Sequence, residues 1–124
     1  MATLIRNRQV VANPPSPDGD DGVVRIQSHE DPAAFADRLA GATRVEVSFP
    51  KFGDGRGFSI ARLLRERYGY RGELRATGHV VRDHLRPMEE VGFDSFALKD
   101  GEDARVALEA FSDFPIFAPA KLPR

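Results

Sequence analysis

Apolar and polar residues alternate strictly in three short stretches of the chain. Val45, Val47 and Phe49 alternate with Glu46 and Ser48, Leu74 and Ala76 with Arg75 and Thr77, and Phe96 and Leu98 with Ala97 and Lys99. Successive side chains of a strand point to opposite faces, so each stretch reads as a strand with one apolar face. The pattern predicts strands over Val23 to Gln27, Arg44 to Phe49, Glu73 to Thr77 and Phe93 to Lys99. Each is followed by apolar residues at helical spacing. Asp31 and Pro32 form a helix start that leads to Phe35 and Leu39, and Gly41 ends it. A second helix, about Phe58 to Tyr68, turns Ile60, Leu63 and Leu64 to one side and closes at Gly69. Val81, Leu85 and Met88 mark a third, which Pro87 should kink or interrupt. The fourth runs from Asp103 to Phe111 with Val106, Ala107 and Ala110 inward.

Strands alternating with helices over crossover-length connections predict right-handed βα units and a parallel sheet. A doubly wound sheet buries both faces and has near-continuous apolar strands, whereas these strands carry one apolar face. The expected architecture is α/β, with about four βα units in a half-barrel-like parallel sheet and helices mainly on one face. A flavodoxin-like open sheet is the alternative. The other face would carry Glu46 and Arg75, which must pair with each other, face a solvated pocket or meet a second subunit, because isolated buried charges are costly.

Outside this regular region the pattern fails. Residues 13–22, NPPSPDGDDG, have no apolar face and read as a linker or exposed loop. The expected organisation is therefore an N-terminal arm and proline-rich linker over 1–22, an α/β domain over 23–114 and an irregular tail over 115–124. In the arm, Leu4, Ile5, Val10 and Val11 suit a small hairpin or an added edge strand. Tethered by the linker, that strand could reach a neighbouring copy, and with an uncovered sheet face it predicts a homodimer.

Charge narrows the partners only slightly. The 18 Lys plus Arg balance 19 Asp plus Glu, so no net attraction to nucleic acid or an anionic membrane is expected. The start of the chain lacks a signal-peptide pattern and no long apolar run occurs, which predicts a cytoplasmic protein. There is no cysteine, and so no disulfide, thiolate nucleophile or cysteine-held cluster. No cofactor is expected on the chain itself, so redox chemistry would have to come from a bound cofactor or a partner. His79 and His84 are five residues apart, poorly spaced for joint ligation on one helix, and no metal site is predicted.

The candidate chemistry lies in FPKFGDGRGFS, residues 49–59, between the second strand and its helix. Gly53, Gly55 and Gly57 permit close approach to the backbone, and free N–H groups at Gly57, Phe58 and Ser59 favour an anion. Arg56 adds a planar fork of donors for a carboxylate, phosphate or sulfur oxyanion, and Asp54 stands beside it. The loop is neither a phosphate-binding GxxxxGK[ST] nor a dinucleotide-binding GxGxxG. A plain glycine-rich turn, with Asp54 bonding backbone donors and Ser59 capping the helix, fits the same residues.

FPKFGDGRGFSIARLLRERYGYRGELRATGHVVRDHL, followed by GFDSFAL, resembles the bacterial domain of unknown function 934 family over about Arg44 to Phe114. Its members are described as oxidoreductases of sulfite reduction and are encoded beside sulfite reductase or the reductase for activated sulfate. The resemblance implies a pathway, the making of sulfide, and not a reaction. Matching positions that could carry a site are Asp54, Arg56, Arg75 and Asp83. The chain departs from the family pattern at His79 and His84, and it has Val91 where members often have cysteine.

Three readings follow. The first is a cytosolic accessory protein of assimilatory sulfite reduction that binds or assists sulfite reductase. The second is a small enzyme acting on an anionic substrate, with Asp54, Gly55, Arg56, Gly57, Ser59 and Arg75 as the ligand-binding set and Glu46 or Asp83 moving a proton. The third is a ligand-binding or structural module.

Overall fold

The computed structural model describes residues 4–11, 22–50, 56–99 and 101–111. The fold is α/β: a six-stranded mixed sheet with four helices. Strands β3 (Val23–Gln27), β4 (Arg44–Phe49), β5 (Glu73–Gly78) and β6 (Ser95–Ala97) are parallel and lie side by side in chain order. The helices between and after them are α1 (Ala36–Leu39), α2 (Arg56–Glu66), α3 (Leu85–Glu90) and α4 (Ala104–Leu108). When each parallel step moves the same way across a sheet, right-handed crossovers place every helix on the same face. The buried core agrees. It joins Leu39, Ile60, Leu64, Leu85, Met88 and Ala107 of the helices to Val24, Ile26, Val45, Val47, Leu74, Ala76 and Phe96, the strand residues of one face.

An all-parallel sheet was the expectation, and the arm changes it. Strands β1 (Leu4–Arg6) and β2 (Gln9–Val11) form a hairpin that docks antiparallel on β6, giving the order β2-β1-β6-β5-β4-β3. Ile5 pairs with Phe96 and is fully buried, so the arm completes the chain's own core. The hairpin turns at Asn7 and Arg8, with φ of 53° and 63°. Two successive left-handed residues fit the right-handed twist of a tight hairpin. Arg8 is an unfavourable residue there, at a cost of about 1–2 kcal/mol. Its guanidinium is held by a two-pronged bond to Glu89, at 2.8 and 2.7 Å, and lies 5.4 Å from the centre of the Phe111 ring.

Other boundaries moved for local reasons. The fourth predicted strand shrinks to Ser95–Ala97, although flanking Phe93 and Leu98 remain buried. Around Pro87 a 3-10 turn, Arg82–His84, precedes α3 and Pro87 occupies the helix's first turn. A proline ring collides with the carbonyl four residues earlier, here Asp83, so the α-helix cannot extend back through it. Asp31 caps as expected by accepting the Ala33 N–H, and Asp103, read as the first residue of the fourth helix, is its cap and accepts from Arg105 and Val106. Val106, expected inward, is 47% exposed, while Ala107 and Ala110 face the core.

Candidate functional site

The four parallel strands end along one edge, so the segments after them gather there. His29 follows β3, Pro50 follows β4, His79 follows β5 and Lys99 lies just beyond β6. The His79 N–H donates to the Phe49 carbonyl at 2.9 Å, and the Lys99 N–H to the Val80 carbonyl at 2.9 Å, which ties three of these segments together. The His79 and His84 rings meet edge to face with centroids 6.4 Å apart. Carboxyl edges of this kind are where α/β proteins take ligands.

Of the predicted loop residues, Asp54 and Gly55 lie outside the described residues. Arg56 opens α2, two residues earlier than the apolar spacing suggested. The first-turn N–H groups without an intrahelical acceptor are therefore those of Arg56, Gly57 and Phe58. Ser59 sits inside the helix and exposed, so it is not the cap. Gly57 has a packing reason of its own. A Cβ there would run into the Phe49 ring, which also stacks against Phe58 at 5.3 Å and Phe93 at 5.6 Å. Missing a side chain, Gly57 lets the first turn of α2 rest on the end of β4.

Glu46 and Arg75 point to the opposite, helix-free face, and they are bound to each other's neighbours. The Glu46 carboxylate accepts from Arg25 at 3.2 Å and Arg44 at 2.8 Å, and Arg75 lies 3.8 Å away. Arg75 donates to Ser95 Oγ at 2.9 Å and to Glu73 at 2.6 Å, while Arg6 approaches Glu73 at 3.5 Å. Cross-strand register lines up Arg25, Glu46, Arg75 and Ser95 in one row. This is the mutual pairing that was one of three expected outcomes for these charges. Burial pushes the Glu73 carboxyl up, but bonds from Arg75 and Ser95 and the charges of Arg75 and Arg6 outweigh it and hold the group below its usual range.

Arg75 is in register with Glu46, three residues short of Phe49, so it sits about 10 Å back from the carboxyl edge. It also projects from the other face. The structure does not bring Arg56 and Arg75 into a single clamp. Asp83 lies on the 3-10 turn before α3 with its side chain 85% exposed, beside Arg82.

Sequence reasoning missed a centre at the amino edge. Arg65, on the polar side of the second helix and not among the candidate residues, donates to the carbonyls of Gly92 at 3.0 Å, Tyr70 at 2.9 Å and Gly72 at 2.8 Å. It also lies 3.6 Å from the Asp94 carboxylate and stacks over the Tyr70 ring. Asp94 in turn accepts from the Leu74 N–H at 2.9 Å. Burial raises the Tyr70 phenol above its usual pKa, partly opposed by Arg65, and its hydroxyl donates to the Glu73 carbonyl. The clue was the pair of turns GYRG and GFD, whose open carbonyls need a planar donor. A cleft of about 480 Å³ opens beside this centre, lined by Ala36, Leu39, Ala40, Tyr68, Tyr70 and Arg71. It lies at the far end of the sheet from the start of α2. Edges of this kind serve stability in α/β folds, so the carboxyl edge remains the better candidate.

No helix among the described residues is long and apolar enough to cross a membrane, and no group of three or more His, Asp or Glu among them is placed to hold a metal ion. Searches of curated proteins and of solved structures found no match. Residues 23–120 match the family model described as bacterial protein of unknown function. That span covers most of the chain, including its four parallel strands and four helices, and the chain belongs to the DUF934 family.

Proposed function

We propose that this chain is a cytosolic accessory protein of assimilatory sulfite reduction that binds or assists sulfite reductase. One observation carries the choice of accessory over enzyme. Glu46 and Arg75, the strand residues best suited to acid–base and anion chemistry, are engaged in an ion-pair ladder on the face away from the DGRG loop. The Glu46 carboxylate is already occupied by Arg25 and Arg44, with Arg75 close by, and Arg75 by Ser95 and Glu73, so neither is placed to meet a substrate at the carboxyl edge. The family resemblance supplies the pathway, and a chain without cysteine fits a partner that carries the electrons. In this reading the βα units form a half-barrel-like layer whose carboxyl edge presents the DGRG loop to the reductase.

A second reading is supported by the start of α2 at Arg56. It makes the loop a sulfite- or sulfate-class anion site, formed by first-turn N–H groups and the Arg56 fork. Two measurements separate the readings. Co-elution with sulfite reductase and a rise in its turnover support the accessory role, and failure of both removes it. Sulfite titration followed by backbone amide shifts should perturb residues 56–58, and Arg56→Ala should abolish the perturbation. Unmoved amides at saturating sulfite would eliminate the anion site.

A further inference from the structure

The two edges of the sheet are protected differently. Edge strand β3 carries Arg25 at its centre, bonded to Glu46. A charged residue at such a place is a usual defence against pairing with another chain. The other edge, β2, carries Val10 at its centre, 43% exposed. Val10 pairs with Ile5, whose side chain enters the core, so both point to the helical face. Helix α4 contacts β2 on that face. It bears Val106, and Val10 and Val106 are the exposed large apolar side chains among the described residues.

We propose that this edge is the contact surface for a second copy of the chain, with β2 paired antiparallel to its own symmetry mate. A two-fold axis normal to the sheet reverses the strand and keeps the helices of both copies on the same face. Val10 then meets Val10 of the other copy, and the sheet runs continuously through the dimer. The reversed α4 helices come together above it. Arg105 and Glu109, exposed and four residues apart, exchange places under that operation, so each Arg105 faces the other copy's Glu109. The surface is thus complementary to itself in charge. A three-residue strand pairs too weakly alone, and the valines supply the desolvated centre. The proposal is independent of the pathway.

Light scattering on the full chain over a range up to about 100 μM should give twice the 13.7 kDa mass of the monomer. Val10→Lys with Val106→Lys should raise the dissociation constant at least about 100-fold while leaving the circular dichroism unchanged. Val10→Gln serves as a milder variant and should weaken the dimer about 10-fold if the lysines disturb folding. Arg105→Glu should weaken the dimer, and adding Glu109→Arg should restore it. A monomer throughout the range overturns the proposal. So does a dimer insensitive to both valines, or one broken only by changing Arg25 and Arg6 on the helix-free face. Loss of sulfite reductase binding in Val10→Lys, with a monomeric wild type, would assign the edge to that partner instead and equally refute the second copy.

Discussion

The amino and carboxyl edges of the same parallel sheet are built on opposite plans. At the amino edge one guanidinium gathers the loops before β5 and β6 by taking up three of their carbonyls, and Asp94 closes the circuit onto the Leu74 N–H. At the carboxyl edge the Phe49 and Val80 carbonyls accept the His79 and Lys99 N–H groups and Glu102 accepts the Arg82 N–H, while the side chains of Arg56, Ser59 and Lys99 are exposed. An edge whose half-buried guanidinium is spent on loop carbonyls holds a fold, whereas exposed side chains on connecting segments are where binding residues concentrate. The contrast separates the family's three blocks. GYRGELRA and GFDSF are explained by architecture, because their turns are the acceptors of Arg65. Of DGRG, Arg56 and Gly57 open α2 at the carboxyl edge.

The largest test of that contrast is Arg65→Ala. Removing the fork strands three carbonyls that a charged donor had satisfied, so a loss on the order of 4 kcal/mol is expected in urea unfolding. Arg65→Lys should recover little of it, since a single ammonium cannot span three acceptors in a planar arrangement. A loss below about 1 kcal/mol would show that water replaces the fork, and the amino edge would no longer count as the structural end.

How much of this was visible beforehand follows from which interactions are local. The β3, β4 and β5 strands and their one-sided burial were legible because strand periodicity writes the buried face into every second residue. Asp31 was legible as a cap because the N–H that donates to it, that of Ala33, lies only two residues away. The docking of β1 on β6 is a contact across most of the chain, and no local pattern encodes it. Arg65 was illegible for a different reason: a charged residue on an amphipathic helix looks solvated unless the loops it will meet are already placed. Val106 failed because a five-residue helix lacks the turns needed to define its inward stripe. Near the candidate site, the start of α2 after the carboxyl end of β4 could be read from the order of elements. The separation of Arg56 from Arg75 could not, because it depends on which face each strand residue takes.

Gly78 probes the carboxyl edge in the same units. Its φ is +85°, and a Cβ would collide with the Phe49 carbonyl oxygen, the acceptor of the His79 N–H. Gly69, after α2, has φ of +66° with open space around it. Gly69→Ala should therefore cost about 1 kcal/mol, the backbone strain alone. Gly78→Ala should cost about 2–3 kcal/mol, because the β4–β5 contact must also open. Equal costs in paired unfolding curves would mean that the carboxyl edge yields easily and that its backbone bonds do not define it.

The smallest expected effect belongs to Glu73, which joins the amino-edge centre to the ladder on the helix-free face. Its carbonyl accepts from Tyr70, and its carboxylate accepts from Arg75. Since the folded carboxyl titrates below the ordinary 4.5, the folded state binds its proton less readily than the unfolded chain does. The contribution is complete above the unfolded value and disappears as pH falls through the folded one. Stability lost on acidification should thus be smaller in Glu73→Gln than in the wild type, with the difference confined to pH below about 5. Melting temperatures followed from about pH 7 to about pH 3 provide the measurement. If the gap between the two proteins stays constant across that range, the carboxylate is not held by Arg75 in its charged form. The ladder would then be no more than a hydrated surface, and Arg75 would return to the list of groups available for anion binding.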